Sequence, residues 1–76
     1  MDVDNSGWIY SACMLNKDII ITGDENKRII QWKFENDDLK LISIKEKAHD
    51  RQINTITKLG NGFILSGSSD YSVKIW

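Results

Sequence analysis

The sequence predicts an all-β fold, and three observations support that class. Apolar residues alternate or cluster in short runs of strand length. Residues that favour tight turns separate those runs. In addition, a stretch in the first half of the chain recurs 44 residues later without a gap. Together these features predict two antiparallel β units of similar design.

The strands are clearest in residues 49–76. Apolar side chains alternate or cluster in three runs, at residues 53–59, 63–65 and 73–75. Between the first two runs, Gly60-Asn61-Gly62 tolerates the positive φ that a hairpin needs. Between the last two, Ser68-Ser69-Asp70 offers short side chains that hydrogen-bond to nearby backbone. We therefore expect three strands joined by two tight turns.

The first half of the chain repeats this stretch at lower fidelity. Residues 8–32 align with residues 52–76, and five pairs are identical. The identical pairs are Ile9 with Ile53, Leu15 with Leu59, Ile20 with Ile64, Gly23 with Gly67, and Trp32 with Trp76. A period of this length is typical of stacked β units that share one core with their neighbours.

Residues 33–46 between the two copies predict a further strand. The polar run at residues 35–38 is typical of a solvated hairpin tip, and residues 39–44 alternate between apolar and polar side chains. Lysines follow at positions 40, 45 and 47, and such charge suits an exposed sheet edge. We expect seven strands, four in the first unit and three in the second.

The second unit resembles one WD40 repeat, the unit of a β-propeller. Its motifs are Ala48-His49, Leu65-Ser66-Gly67-Ser68, Asp70 in a turn, and Val73-Lys74-Ile75-Trp76 at the end. The resemblance implies a polar loop at 1–7, a first blade at 8–45, and a second blade at 46–76 that lacks its outer strand. In the first blade, Asn5 and Asn26 replace the family's histidine and aspartate, which implies an incomplete hydrogen-bonded chain there.

The resemblance also implies a structural hydrogen-bonded chain through His49, Ser66, Asp70 and Trp76. An indole N–H, a hydroxyl and an imidazole can each pass a hydrogen bond along, and a carboxylate accepts at the end. The same residues could suggest a catalytic Ser-His-Asp set. No strand-to-helix elbow and no oxyanion-hole motif surrounds Ser66, so we predict the structural role and no catalytic residues.

Composition narrows the classes of function. The net charge is −1, with 28% charged and 41% apolar residues, which argues against general nucleic-acid binding. No apolar run approaches the ~20 residues of a membrane span, and no signal peptide opens the chain. The single cysteine, Cys13, is expected to be a small buried apolar residue. We expect a cytoplasmic or nuclear protein in a reducing compartment.

No metal or cofactor is predicted. Residues 2–7 copy the spacing of the first half of a calcium-binding loop, but Cys13 stands where a bidentate glutamate should close it. There is no cluster of cysteine and histidine for zinc.

The family resemblance implies a non-catalytic scaffold that binds other proteins, and the chain supplies fewer than two of about 4–8 blades. We expect a fragment of a longer propeller protein. The alternatives are a targeting or regulatory piece of a larger enzyme, and a partial propeller completed by further copies of itself. Partner contacts are expected on the loops entering the first strand and between the second and third strands of each blade. The candidate residues are Trp8, Tyr10, Asp24, Glu25, Arg51, Gln52, Asn54, Ser68 and Ser69.

Overall fold

The computed structural model describes residues 7–76, which form seven β-strands and no helix. The strands are β1 Ile9–Met14, β2 Ile19–Asp24, β3 Ile29–Glu35, β4 Asp38–Lys45, β5 Ile53–Gly60, β6 Phe63–Ser68 and β7 Val73–Ile75. This confirms the predicted all-β class. Nothing in this range could cross a membrane as a helix. The predicted polar loop, with Asn5 and the calcium-like spacing, lies outside the described residues except for Gly7.

The strands form two antiparallel sheets in which every strand pairs with its neighbour in sequence. The first sheet has the order β1-β2-β3-β4, and the second has the order β5-β6-β7. The predicted division into four and three strands is confirmed. Two of the predicted turns are hairpins that contain non-glycine residues with positive φ. Asn36 and Asp37 have φ of 53° and 60°, and Asn61 has φ of 52°. Asn and Asp adopt this left-handed region more readily than most residues.

The sequence repeat is also a repeat of strand register. Ile9 pairs with Asp24 in the first sheet, and the positions 44 residues later, Ile53 and Ser68, pair in the second. Each of these pairs is followed by a register shift at the same place in the strand. The later pairs of β1 with β2 and of β2 with β3 recur at the same offset between β5, β6 and β7.

The turns between the second and third strands repeat as well. Lys27 has φ of 67° and its counterpart Tyr71 has φ of 70°. The backbone N–H of Glu25 donates to the carbonyl of Trp8 over 2.9 Å, and the equivalent bond from Ser69 to Gln52 measures 3.3 Å. Two stretches with only five identical residue pairs therefore adopt one local conformation.

The core lies between the two sheets, where β5 packs against β1 and β2. Its buried members are Ile21, Ile29, Ala48, Ile53, Ile56 and Ile64. Gly23 allows the close approach, because a Cβ there would lie 2.5 Å from the Cγ2 of Ile53. Ile53 is fully buried, and burial of such a side chain contributes about 1.5–3 kcal/mol. Trp76 and Cys13 pack at the margin of the cluster, Cys13 being only partly buried.

Candidate functional site

The four residues of the predicted hydrogen-bonded chain meet at the start of the second sheet. Trp76 Nε1 donates to Ser66 Oγ over 2.8 Å, and Ser66 Oγ lies 2.7 Å from His49 Nε2. The other ring nitrogen, His49 Nδ1, lies 3.2 Å from Asp70 Oδ2. These hydrogen bonds link β6, the residue after β7, the β6–β7 turn and the segment before β5.

One assignment of protons satisfies every group in this chain. Ser66 accepts the Trp76 indole proton and donates its own hydroxyl proton to His49 Nε2, so the ring carries its proton on Nδ1. That Nδ1–H points at Asp70 Oδ2 and at Ser72 Oγ, 2.9 Å away. The Ser72 hydroxyl in turn donates to Asp70 Oδ1. The protons therefore run in one direction, from Trp76 to the Asp70 carboxylate.

The Asp70 carboxylate collects hydrogen bonds on both oxygens. The Ser72 hydroxyl and the backbone N–H groups of Asp50 and Ser72 donate to it, the latter two over 2.9 and 2.8 Å. Donation by the Ser72 hydroxyl, helped by those N–H groups and the His49 ring, holds the pKa of Asp70 well below its ordinary value. Asp70 is therefore a carboxylate that accepts hydrogen bonds at neutral pH.

This network fastens the segment before β5 onto the second sheet. Ala48 and His49 are each only 1% exposed. Lys74 Nζ donates to the Ala48 carbonyl over 2.8 Å and adds a second attachment from β7. Ser66 Oγ is fully buried and already engaged with two partners, so the arrangement orients a loop and leaves its hydroxyl without access to solvent.

The first sheet keeps one bond of this kind and changes the rest. Trp32 Nε1 donates to Thr22 Oγ1 over 3.0 Å, which reproduces the bond from Trp76 to Ser66. At the turn, Asp24 Oδ1 accepts from the backbone N–H groups of Asn26 and Arg28, each over 3.0 Å. The turn of the first sheet is therefore capped by Asp24, where the second sheet uses Ser68 and Asp70.

Asp24 corrects a prediction, because it was expected to contact a partner. Its side chain is 0% exposed and forms an ion pair with Arg28, at 2.8 Å from Arg28 Nη2 to Asp24 Oδ2. A buried carboxylate must be paired and hydrogen-bonded to be tolerated, and here both requirements are met within the turn. The repeat contained a signal for this role: Asp24 aligns with Ser68, whose Oγ accepts from the Asp70 N–H over 3.1 Å.

The other candidates lie at one end of the strands in both sheets. We call this region the turn edge. It consists of the segments leading into β1 and β5 (residues 7–10 and 50–54) and the turns at 24–28 and 68–72. Both sheets present it on the same side, because Gly23 beside the first turn faces Ile53 at the start of β5.

Aromatic side chains are exposed on the turn edge. Trp8 is 72% exposed, and its ring lies edge-on to Tyr10 with centroids 6.3 Å apart. Glu25 is exposed and holds Trp8 by accepting its backbone N–H over 3.2 Å. Arg51 is exposed next to the His49 segment. These side chains stand on backbone that is fixed by internal hydrogen bonds.

Four other predicted residues help to shape the turn edge. Asn54 Nδ2 donates to Ser69 Oγ over 2.8 Å, with Asn54 itself exposed. Ser68 Oγ donates to the carbonyl of Gln52 over 2.9 Å. Ser68, Ser69 and Gln52 are each partly buried, and their contact with a partner stays a prediction.

Sequence reasoning missed Tyr71, which lies on the same edge. Its side chain is fully exposed, and its φ of 70° is unusual for an aromatic residue. Ser72 was also missed, although a hydroxyl two residues after Asp70 is a frequent partner in turns of this kind.

No metal site is found among residues 7–76, where no three His, Cys, Asp or Glu side chains are grouped to hold an ion. An open cleft of about 460 Å³ lies between the outer parts of the sheets, with Ile44, Ile64 and Trp76 in its lining. Lys45 Nζ lies 5.9 Å from the centre of the Trp76 ring at this cleft.

Comparison with known proteins gives no relative, because no family model, no curated protein and no solved structure matches the chain.

Proposed function

We propose that this chain is a segment of a WD40-type β-propeller that acts as a non-catalytic scaffold and binds other proteins through the turn edge. The observation that carries the proposal is the repeat of strand register at a fixed offset of 44 residues. It favours a fold built from stacked copies of one β unit. A closed ring needs units beyond the two in this chain, because such rings hold about 4–8 units.

The hydrogen-bonded chain supports the WD40 interpretation over a generic pair of sheets. His49, Ser66, Asp70 and Trp76 are the residue types and positions that the resemblance implies. Hydrogen bonds join them in the order Trp76, Ser66, His49, Asp70. The buried position of Ser66 and His49 favours a structural role over nucleophilic catalysis, which requires a hydroxyl that a substrate can reach.

The composition of the turn edge supports protein binding. Trp, Tyr and Arg carry a large share of binding energy in protein interfaces, and Trp8, Tyr10, Tyr71 and Arg51 are all exposed there. Their backbone is held before any partner arrives, which lowers the entropy lost on binding.

Tyr71 adds an argument from its backbone conformation, which its counterpart Lys27 shares. A non-glycine residue in the left-handed region costs about 1–2 kcal/mol, and the exposed ring gains no burial within this chain. Strained backbone of this kind clusters at functional positions. A contact between Tyr71 and a partner would offset the cost of placing an exposed aromatic residue at this position of the repeated turn.

The test is affinity capture with the whole chain as bait, followed by measured affinity for each captured protein. Changing Trp8, Arg51 or Tyr71 to Ala should weaken the binding of a partner that contacts the turn edge. The dissociation constant should rise by about 30-fold where the residue contributes about 2 kcal/mol. The matched control is Phe34→Ala, which removes an exposed aromatic side chain at the opposite edge of the first sheet. Partners that lose affinity with Phe34→Ala but tolerate all three turn-edge changes would overturn the proposal.

A further inference from the structure

The second sheet has an uncovered face whose counterpart in the first sheet is core. Ile29 is 7% exposed because the second sheet packs on it, whereas its counterpart Val73 is 65% exposed. Ile21 is buried in the same contact, and its counterpart Leu65 is only partly buried. The face around Leu65 and Val73 therefore repeats the first sheet's docking surface without an occupant among residues 7–76.

The contact inside this chain shows what such a surface receives. Ser11 Oγ accepts the backbone N–H of Ile56 over 2.8 Å, which joins the edge of β1 to the edge of β5. Beside it, Gly23 leaves the space that Ile53 fills. One hydroxyl acceptor and one glycine thus fix the position of the incoming strand.

The uncovered face retains both features. At the offset of 44 residues, Ser11 corresponds to Thr55, which also carries a hydroxyl, and Gly23 corresponds to Gly67. The exposed Thr55 pairs with Gly67 across β5 and β6, so the hydroxyl and the glycine lie side by side. The receiving half of the internal contact is therefore present twice.

The donating half is present twice as well. Ile53 and Ile56 of β5 correspond to Ile9 and Ala12 of β1, which are both exposed. Ala12 pairs with Thr22. Two residues further along β2, Asp24 donates its backbone N–H to the Arg28 carbonyl, in the turn that leads into β3. Backbone groups two residues apart in a strand point the same way, so those of Thr22 are directed toward β3. The backbone N–H of Ala12 consequently points to the open edge of β1.

We propose that copies of this chain bind head to tail, with β1 of a second copy on the uncovered face of the second sheet. Thr55 Oγ1 accepts the backbone N–H of Ala12 of the second copy, and Ile9 of that copy packs at Gly67. The inference rests on the proposed propeller and names the source of its next unit. Contacts of this kind close into rings when the rotation allows, and about 4–8 units per ring correspond to about two to four copies.

The experiment is light scattering after size-exclusion chromatography, over a range of concentrations of the whole chain. The wild type should form a discrete oligomer. Ile9→Asp damages only the donating half, and Val73→Asp damages only the receiving half, so each variant alone should be monomeric. A mixture of the two retains one intact interface and should form a dimer that grows no further. The matched control, Phe34→Asp, adds the same charge at an exposed position of β3, outside both halves of the contact, and should leave the mass unchanged.

A second variant keeps the test sharp where a charge unfolds the chain. Thr55→Val keeps the shape of the side chain but removes the acceptor, and should raise the dissociation constant by about fivefold to tenfold. The inference is overturned by a wild type that stays monomeric at every concentration, by a mixture that stays monomeric, or by Thr55→Val with unchanged affinity. Such results would not overturn the proposed protein binding at the turn edge. That proposal is tested separately, by the affinity of captured proteins for the Arg51 and Tyr71 variants.

Discussion

Replacing Ser66 with Ala should remove a large part of the stability of the second sheet. The substitution deletes both bonds of the buried hydroxyl, at 2.7 Å to His49 Nε2 and 2.8 Å from Trp76 Nε1. A buried polar group left without a partner costs about 1–3 kcal/mol. The His49 side chain has no exposed surface, so its cost should be near the upper value, while water can partly replace the bond of Trp76. We expect a loss of about 2–4 kcal/mol in the free energy of unfolding.

That loss would be visible because the whole chain is small. At about 0.05–0.15 kcal/mol per residue, its stability is on the order of 4–11 kcal/mol. The assay is urea unfolding followed by far-UV circular dichroism and tryptophan fluorescence. The control is Ser43→Ala, which removes an exposed hydroxyl that donates to Gln31 over 3.3 Å and should cost less than about 0.5 kcal/mol. Equal effects of the two substitutions would refute the reasoning that a satisfied buried hydroxyl holds the segment in place.

Three further predictions concern pH, packing and strain. The pKa of Asp70 is lowered in the folded chain, so its stabilising contribution is fully present above its ordinary value of 3.8 and is lost as the pH falls through the lower, folded value. Acid titration of the free energy of unfolding should show a steeper fall for the wild type than for Asp70→Asn, and parallel curves would contradict this. Gly23→Ala should destabilise by about 1–3 kcal/mol in urea unfolding, because its Cβ would lie 2.5 Å from Ile53 Cγ2; an unchanged midpoint would disprove that contact. Tyr71→Asn should raise the free energy of unfolding by up to about 1 kcal/mol and should weaken partner capture. A lower free energy of unfolding would argue against backbone strain at this position.

The strands could be predicted because their signals are local. Alternating apolar residues and Gly-Asn-Gly at 60–62 specify strand and hairpin whatever lies around them, and the repeat specifies the second copy from the first. The hydrogen-bonded chain from Trp76 to Asp70 could be predicted for a different reason. The resemblance supplied its order, and three residues that can pass a hydrogen bond along and one acceptor stood in the implied places.

What could not be predicted depends on tertiary neighbours. Asp24 is an acidic residue next to a turn, a type that is usually exposed. Only the structure shows that Arg28 of the same turn pairs with its carboxylate and that the carboxylate is buried. The inter-sheet bond from Ile56 to Ser11 joins residues 45 positions apart that share no motif. Tyr71 could not be predicted because it stands out by its backbone φ, which the amino-acid sequence does not indicate at this position.

Exchange of the indole N–H protons with solvent, measured by NMR, tests the central claim most directly. The repeated unit predicts that Trp32 and Trp76, which donate to Thr22 and Ser66, exchange slowly, while the exposed Trp8 exchanges fast. Slow exchange at both repeated tryptophans would mean that both sheets use the same internal anchor. Exchange of the Trp76 indole as fast as that of Trp8 would contradict the hydrogen-bonded chain on which the proposed fold and function depend.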